Sequence, residues 1–466
     1  MTGLEVGVFV SLLISTVSAS VTEKILITPL FEIGELWINA SSMLFGRVTT
    51  LLTSVPNPYN VTTYVGVVIA CLVIYYGYVL FFVPLNRVRK LGDIGYVNEG
   101  SWNKREIANM VRQRRKVGAI PPVYPNGWFP VMEAFTLKTG EVKNVSILGL
   151  ALAVFRDEKG FAHALDAYCP HMGANMAAGG RVCGDSLECP FHAWKFRGED
   201  GKCTSIPYAE KIPDIAKVKS WPILERNRWL YLWFHAEGVE PFWMPPEIEE
   251  ITRGEWTYRG RSEHIINAHI EEIPENGADV VHLSQVHGPV IGAGIDLRYM
   301  WSELWAFARH SWDAKWEAAP PPDGHIGKIT LKHSMSLFGK RFPPIDLTVH
   351  GQQIGPGIVY LRFTSWFGNG VYIQSLTPIE PMVQKLVHNI YVTKYMPMCV
   401  AKFLMLGEAI QVERDVMIWN NKQYCAKPVL VKSKEDSLIA RHRRWYSQFY
   451  SENSPQLTFK QETLEW

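Results

Sequence analysis

Excess charge of either sign is almost absent from this sequence: 47 Lys and Arg face 45 Asp and Glu, leaving a net +2 over 466 residues. That excludes the broad basic footprint of a nucleic-acid binder, and nucleic acid is not an expected partner. Cysteine is sparse too. Seven residues, at 71, 169, 183, 189, 203, 399 and 425, are an odd and scattered set rather than the dense pairing of a small secreted scaffold, and they point to a reducing compartment. There is no GxGxxG after a strand, no P-loop and no CxxxxCxxC run of the plant ferredoxin type. No second redox centre is therefore visible, and electrons must arrive from another protein. No internal repeat is present.

What the chain has in quantity is apolar surface. Hydrophobic residues make up 47% and aromatic residues 12%, with 17 tryptophans, enough for large cores and for an apolar ligand cavity. The length calls for two or three structural units. Tyr64 to Val83 runs for 20 residues without a charge, which matches the roughly 30 Å hydrocarbon layer of a bilayer and predicts a transmembrane helix. Arg87, Arg89, Lys90, Lys104 and Arg105 follow it, against only Lys24 and Arg47 before it. The positive-inside rule then places the C-terminal part in the cytoplasm, with the endoplasmic reticulum as the expected membrane. Val6 to Val21 is short for a span and lacks the basic start of a signal peptide. It reads as a second membrane segment or an interfacial helix. The sequons at Asn39 and Asn60 carry little weight.

The expected fold class is α+β. Residues 1–90 form a membrane anchor region; residues 91–125, helix-like up to the basic run Arg112 to Lys116 and then broken by Pro121, Pro122 and Pro125, form a linker or a helix lying against the membrane surface. Residues 126–236, with β-rich stretches such as Ala151–Phe155 and Trp229–Phe234, form a small all-β domain. Residues 237–466 form an α+β domain: strand-like runs at Lys328–Leu337, Ile358–Trp366, Tyr372–Leu376 and Lys385–Lys394 make one antiparallel sheet, followed by a helical C-terminus.

The most specific motif is Cys169-Pro-His171, then 17 residues, then Cys189-Pro-Phe-His192. Each loop carries one sulfur and one imidazole donor, which gives two thiolates to one iron and two histidines to the other: the ligand set of a Rieske [2Fe-2S] cluster. Zinc fingers instead group their cysteines together and their histidines together. Cys183 and Cys203 have no motif partners and read as plain buried thiols.

A second motif, Asp279-Val-Val-His282 followed by His287, offers two histidines for a single iron with open positions, which needs a carboxylate as third ligand. Asp279 and His282 share a helix face, whereas His282 and His287 lie roughly 140° apart on an ideal helix, so the helix must distort or end between them. His264 and His269 have the same spacing. They sit in an apparent strand, Glu263–Ile270, where residues five apart face opposite sides, and Arg261 stands where an acid would be needed. That pair reads as structural. For the carboxylate, the helix Leu406–Asn420 places Asp415 and Glu408 on or beside its apolar stripe of Val412, Val416 and Trp419, while Glu413 points away. The pattern leaves Asp415 and Glu408 both open. Arg441 to Arg444 reads as a solvated helix face, with docking of a reductase as the alternative.

The segment from Tyr168 to Phe196 resembles the cluster-binding region of Rieske oxygenases; Ala174 and Phe191 replace the extra cysteines of respiratory Rieske proteins. The anchor followed by Arg89–Tyr96, the DxxHxxxxH block and the ending Arg443–Tyr450 are similar to the cholesterol 7-desaturases of the Neverland type, and also to 3-ketosteroid 9α-hydroxylases. The resemblance implies a helix-grip catalytic domain and His282, His287 and Asp415 as ligands of a mononuclear iron, since QVERDVMIWNNK is similar to the segment that carries the iron carboxylate in steroid-hydroxylating members. It also implies O2 as co-substrate, NAD(P)H through a separate reductase and a sterol as substrate. Assembly into a homotrimer is implied too, with Asp279 receiving electrons from His171 or His192 of a neighbouring subunit. Desaturation and hydroxylation both remain open outcomes, and a pure electron-transfer protein is the reading from another class.

Overall fold

The computed structural model describes residues 58–97, 100, 102–114 and 119–457. The Val6–Val21 stretch and the Asn39 sequon lie outside the described residues. The chain divides into two units, Met1–Val79 and Leu80–Trp466. Helix α1, Pro58–Phe82, opens the described chain. Its stretch Thr63–Phe82 is long and apolar enough to cross a membrane, and no part of it is buried against protein.

In the second unit, β1 is Leu85–Arg89, helix α2 is Lys104–Arg114, β2 is Gly127–Glu133, β3 is Val142–Ile147, β4 is Leu150–Arg156 and β5 is Ala162–Asp166. Four short strands follow, β6 (Arg181–Cys183), β7 (Ser186–Glu188), β8 (Lys195–Arg197) and β9 (Cys203–Ser205), then β10 (Ser220–Trp221), β11 (Ile223–Arg226) and β12 (Trp229–Phe234). These make three small antiparallel sheets, ordered β10-β5-β4-β3, β11-β12-β2 and β6-β7-β8-β9.

Next come α3 (Glu249–Thr252), β13 (Trp256–Ile266), α4 (Glu272–Glu275) and α5 (His282–Val286). The remaining strands are β14 (Ala308–Ala318), β15 (Ile326–Leu337), β16 (Lys340–Arg341), β17 (Leu347–Ile354), β18 (Ile358–Ser365), β19 (Gly368–Glu380) and β20 (Val383–Thr393), and the long helices are α6 (Met398–Asn421) and α7 (Lys434–Tyr446). One large sheet runs β1-β13-β20-β19-β18-β17-β15-β14, with β16 paired to β15.

The pleat decides what each face of this sheet meets. Val371, Ile373 and Val387 point to one side and pack with Trp128, Trp229 and Tyr231 of the small sheets. Tyr372, Ile390 and Val392 point to the other and pack under Ala401 and Met405 of α6. Because both faces are covered, β20 is buried along nearly its whole length and reads as a continuous apolar run instead of an alternating one. Toward β14 the covering thins, and outward residues alternate with inward ones.

Three expectations need correction. Leu85–Arg89, placed by sequence in the anchor region, is a strand of the large sheet, parallel to β13. Its inward-facing Arg87 and Arg89 reach the fully buried Glu413 carboxylate at 2.7 and 2.9 Å. Glu413 does point away from the apolar stripe, but toward these arginines and not toward water. Two of the basic residues counted toward membrane orientation are thus ion-paired within the fold. The stretch read as a linker is helical in its first part, as expected, in α2, but its end is docked: Val123 and Tyr124 are buried in the core. Arg443 is no free surface charge either, since it binds Glu275 at 2.5 Å; Arg441 and Arg444 stay exposed.

Candidate metal centres

Cys169 and Cys189 sit in two turns of matching build. Gly173 N–H donates to the Cys169 carbonyl at 2.9 Å, and Ala193 N–H to the Cys189 carbonyl at 3.0 Å. Both turn residues take positive φ, 73° for Gly173 and 57° for Ala193, a conformation natural to glycine and mildly costly for alanine. Gly180 between the turns is required for another reason: a Cβ there would stand 2.1 Å from the Met176 carbonyl oxygen.

The turns put sulfur inside and nitrogen outside. Cys169 and Cys189 are buried with Met176, Leu187 and Phe196, whereas His171 is exposed and His192 half-buried. The two imidazoles lie 4.7 Å apart, and Trp194 stacks on His171 at 4.6 Å. Burial, reinforced by the adjacent Cys189, pushes the Cys169 thiol up to about 11. Two neighbouring buried sulfurs become thiolates only with a compensating cation, so the donor set fits an iron-sulfur cluster. Cys203 is buried as expected, but Cys183 is only half-buried.

The second centre is built on broken helix. Contrary to what their spacing predicts, Asp279 and His282 do not share a helix; Asp279 lies between α4 and α5, where its carboxylate accepts the His282 N–H at 3.3 Å. Helix α5 ends at Val286, and His287 leaves the helical region with φ −106° and ψ 2°, which brings its ring round to within 5.1 Å of the His282 ring. Each histidine is oriented from behind. His282 Nδ1 faces the Asp279 backbone carbonyl, and His287 Nδ1 donates to Gln411 Oε1 at 2.7 Å. Arg414 also donates to that oxygen, which fixes the amide's orientation. Both Nε2 atoms are thereby left as acceptors, as a metal requires.

One ligand atom each from His282, His287 and Asp415 lie within 4.8 Å of one another. Asp415 Oδ1 is buried without a hydrogen-bond partner, 3.2 Å from His287 Nε2. Burial alone would lower the His287 pKa, but the facing carboxylate outweighs it and the pKa rises. The site calls for positive charge, and the two-histidine, one-carboxylate set fits a divalent iron. Glu408 is not in this cluster. It faces His388 at 3.7 Å, and its 29% exposure is to a cavity of about 500 Å³ bounded by the sheet, α5 and α6. Aliphatic and aromatic side chains such as Ile329, Leu331, Val349, Leu361 and Phe403 dominate the lining, and burial raises the Glu408 carboxyl to about 7.

Residues 127–222 match the Rieske [2Fe-2S] domain, and residues 232–450 match the 3-ketosteroid 9α-hydroxylase C-terminal domain. The chain is 48% identical to cholesterol 7-desaturase of Xenopus laevis, over 92% of this chain and 95% of that one. With cholesterol 7-desaturase 1 of Ciona intestinalis it shares 52% identity, over 84% and 83%. The chain belongs to the cholesterol 7-desaturase family of Rieske oxygenases. A more distant relative is the oxygenase component of 3-ketosteroid-9-alpha-monooxygenase from Rhodococcus rhodochrous, 31% identical over 72% and 83%. The fold is also that of dicamba monooxygenase, at TM-score 0.50 and 15% identity over 70% of this chain and 97% of that one.

Two supports of this Rieske oxygenase's second centre were not legible in its sequence. Arg414, fully buried, donates to the carbonyls of Gly294, Pro289, Val290 and Val286 at 2.9 to 3.2 Å. It pins the loop that carries His287 onto α6, next to Asp415. Gln411 is the other, and the signal was its place one turn before Asp415 on the same helix face. The rejected pair is structural: β13 ends at Ile266, His264 lies 3.4 Å from Glu413, and His269 contacts the Pro122 carbonyl.

Proposed function

We propose that this protein is a sterol-oxidising Rieske oxygenase that converts cholesterol to 7-dehydrocholesterol. The observation that carries the reading is the apolar cavity at whose wall His282, His287 and Asp415 converge, in a chain with cholesterol 7-desaturases among its relatives. When bound, a [2Fe-2S] cluster on Cys169, His171, Cys189 and His192 supplies single electrons, and a mononuclear iron on His282, His287 and Asp415 supplies dioxygen activation. The net reaction balances as removal of one hydrogen each from C7 and C8 of the sterol. Dioxygen is reduced to two waters by that pair of electrons and a further pair from NAD(P)H, delivered by a separate reductase.

The chain's own residues divide the work. Asp279 and Gln411 hold the histidine rings with Nε2 forward, and Arg414 keeps the loop and helix together. The aliphatic lining takes the sterol skeleton and excludes water from the reacting carbons. For electron transfer we assign a homotrimer in which Asp279 lies next to the cluster histidines of a neighbouring subunit. Exposed Phe191 and Tyr208 lie against those histidines, with exposed Tyr168 and Met172 in the same loop as His171, an apolar rim that supports a subunit interface. The division into anchor (1–90), linker (91–125), Rieske domain (126–236) and helix-grip catalytic domain (237–466) follows the sequence reading, with Leu85–Arg89 contributed to the catalytic sheet. Anchoring in the endoplasmic reticulum with the catalytic part in the cytoplasm is supported by Lys90, Lys104 and Arg105 beyond the apolar helix.

The test is to supply purified, iron-loaded protein with a reductase, NADPH, oxygen and cholesterol, and to weigh the product. A sterol lighter by two hydrogens supports the desaturase. One heavier by an oxygen atom supports a steroid hydroxylase, the reading that the 9α-hydroxylase domain match favours second. No product, with two irons per chain instead of three, leaves an electron carrier.

A further inference from the structure

The cavity is not uniformly apolar. Gln353, Val359, Gln374 and His388 stand opposite one another across β17, β18, β19 and β20, so they form one row on one face of the sheet. All four line the cavity. At the end of this row His388 is buried with neither ring nitrogen hydrogen-bonded, and Glu408 faces it from α6 with Oε1 3.7 Å from Nε2. That separation is too long for a hydrogen bond and suits one intervening oxygen bonded to both. An unpaired polar group in an aliphatic cavity is costly, and a ligand hydroxyl is the partner that would remove the cost.

We infer that Glu408 and His388 bind the 3-hydroxyl of the sterol and so fix which carbon meets the metal ligands; this rests on the sterol-oxidising reading above. The helix supplies the ruler. Glu408 and Asp415 are seven residues apart, two turns on nearly the same face and about 10 Å along the axis. In a sterol the path O3–C3–C4–C5–C6–C7 spans about 6 Å in five bonds of about 1.5 Å. A hydrogen bond of about 2.8 Å from O3 to the carboxylate brings the reach to about 9 Å, which puts C7 nearly level with Asp415 along the helix. A hydroxyl held at Glu408 therefore presents C7, and a shorter or longer reach would present another carbon.

The experiment compares cholesterol with its 3-deoxy analogue, cholest-5-ene, on full-length, metal-loaded protein in detergent, by equilibrium binding of the radiolabelled sterols and by turnover. Wild type is expected to prefer cholesterol by about 10- to 100-fold, the range for a hydrogen bond to a charged or polar anchor. In Glu408→Ala and His388→Phe the preference should collapse to about twofold, with oxidation spreading to carbons other than C7, while Glu408→Gln restores part of it. Equal binding of the two sterols by wild type overturns the anchor. So does a Glu408→Ala protein that keeps its preference, or one that loses the third iron, since Glu408 would then be a ligand. A wild type that prefers cholesterol in binding yet converts neither sterol supports the anchor and overturns the proposed reaction.

Discussion

Arg414 shows how one side chain can set the geometry of a candidate metal site it does not touch. Four carbonyls of residues 286–294 converge on its guanidinium, and the two met in buried bonds, those of Val286 and Pro289, would cost about 1–3 kcal/mol apiece if left without a donor. Lysine cannot replace it, because one ammonium lacks the planar fork that reaches several carbonyls at once. Arg414→Lys is expected to lower the iron content from three to two per chain while the cluster's reduced-state resonance persists. Retention of all three irons in that variant would show that the loop holds His287 unaided. The motif residues were readable from spacing because metal ligands are restricted in type and interval. Arg414 and Gln411 were not, since a positioning residue is defined by the groups it meets, which come from 120 or more residues away in sequence.

Among the elements, β1 carries the least expected role. Five residues directly after an apolar helix looked like juxtamembrane chain, yet the pleat turns Arg87 and Arg89 inward to a carboxylate that has no access to water. Hydrogen bonds from His264, Arg87 and Arg89 overcome burial and hold the Glu413 carboxyl at about 2. Removing both arginines strands that charge. Arg87→Ala with Arg89→Ala should cost about 3–5 kcal/mol of stability, the range for breaking a buried pair, and adding Glu413→Gln should recover much of it. Unchanged denaturant midpoints in the double variant would contradict a structural role for the strand. The central strands behaved differently: β12, β18 and β20 were recognisable because apolar, β-branched and aromatic residues cluster there. Strands β14 and β17 were not singled out, as histidine, lysine and glutamine interrupt their patterns, and those polar residues face solvent or the cavity.

Two predictions belong to the molecule as a whole. His442 is buried against Trp316, Trp445 and Tyr446, and burial, with Arg443 beside it, lowers its pKa from 6.5 to about 3. The unfolded chain takes up this proton below about pH 6.5 and the folded one does not, so stability falls as pH drops from about 6.5 toward 3, by at most about 1.4 kcal/mol per pH unit for this group. His442→Phe should flatten that part of the stability curve by one proton; an unaltered slope would mean that other buried histidines, such as His310 at about 3, account for it. The second prediction concerns the apolar helix. A chain beginning at Leu85 should leave the membrane fraction and keep the red-brown colour and three irons, whereas continued sedimentation with membranes would place the anchor elsewhere.

The sequence by itself determined the candidate chemistry: which four side chains offer the donor set of a Rieske cluster, which two histidines offer the spacing for a single metal ion, and that a 20-residue apolar run needs a setting other than water. Those conclusions are local, because donor type and spacing are written in consecutive residues. Only the tertiary structure decided which carboxylate joins the histidines, that Glu413 is a buried ion-pair partner, and that Glu408 and His388 face each other across a cavity. These depend on how α6 lies over the sheet, and a side chain's partner across such a gap is fixed by packing between segments far apart in the chain.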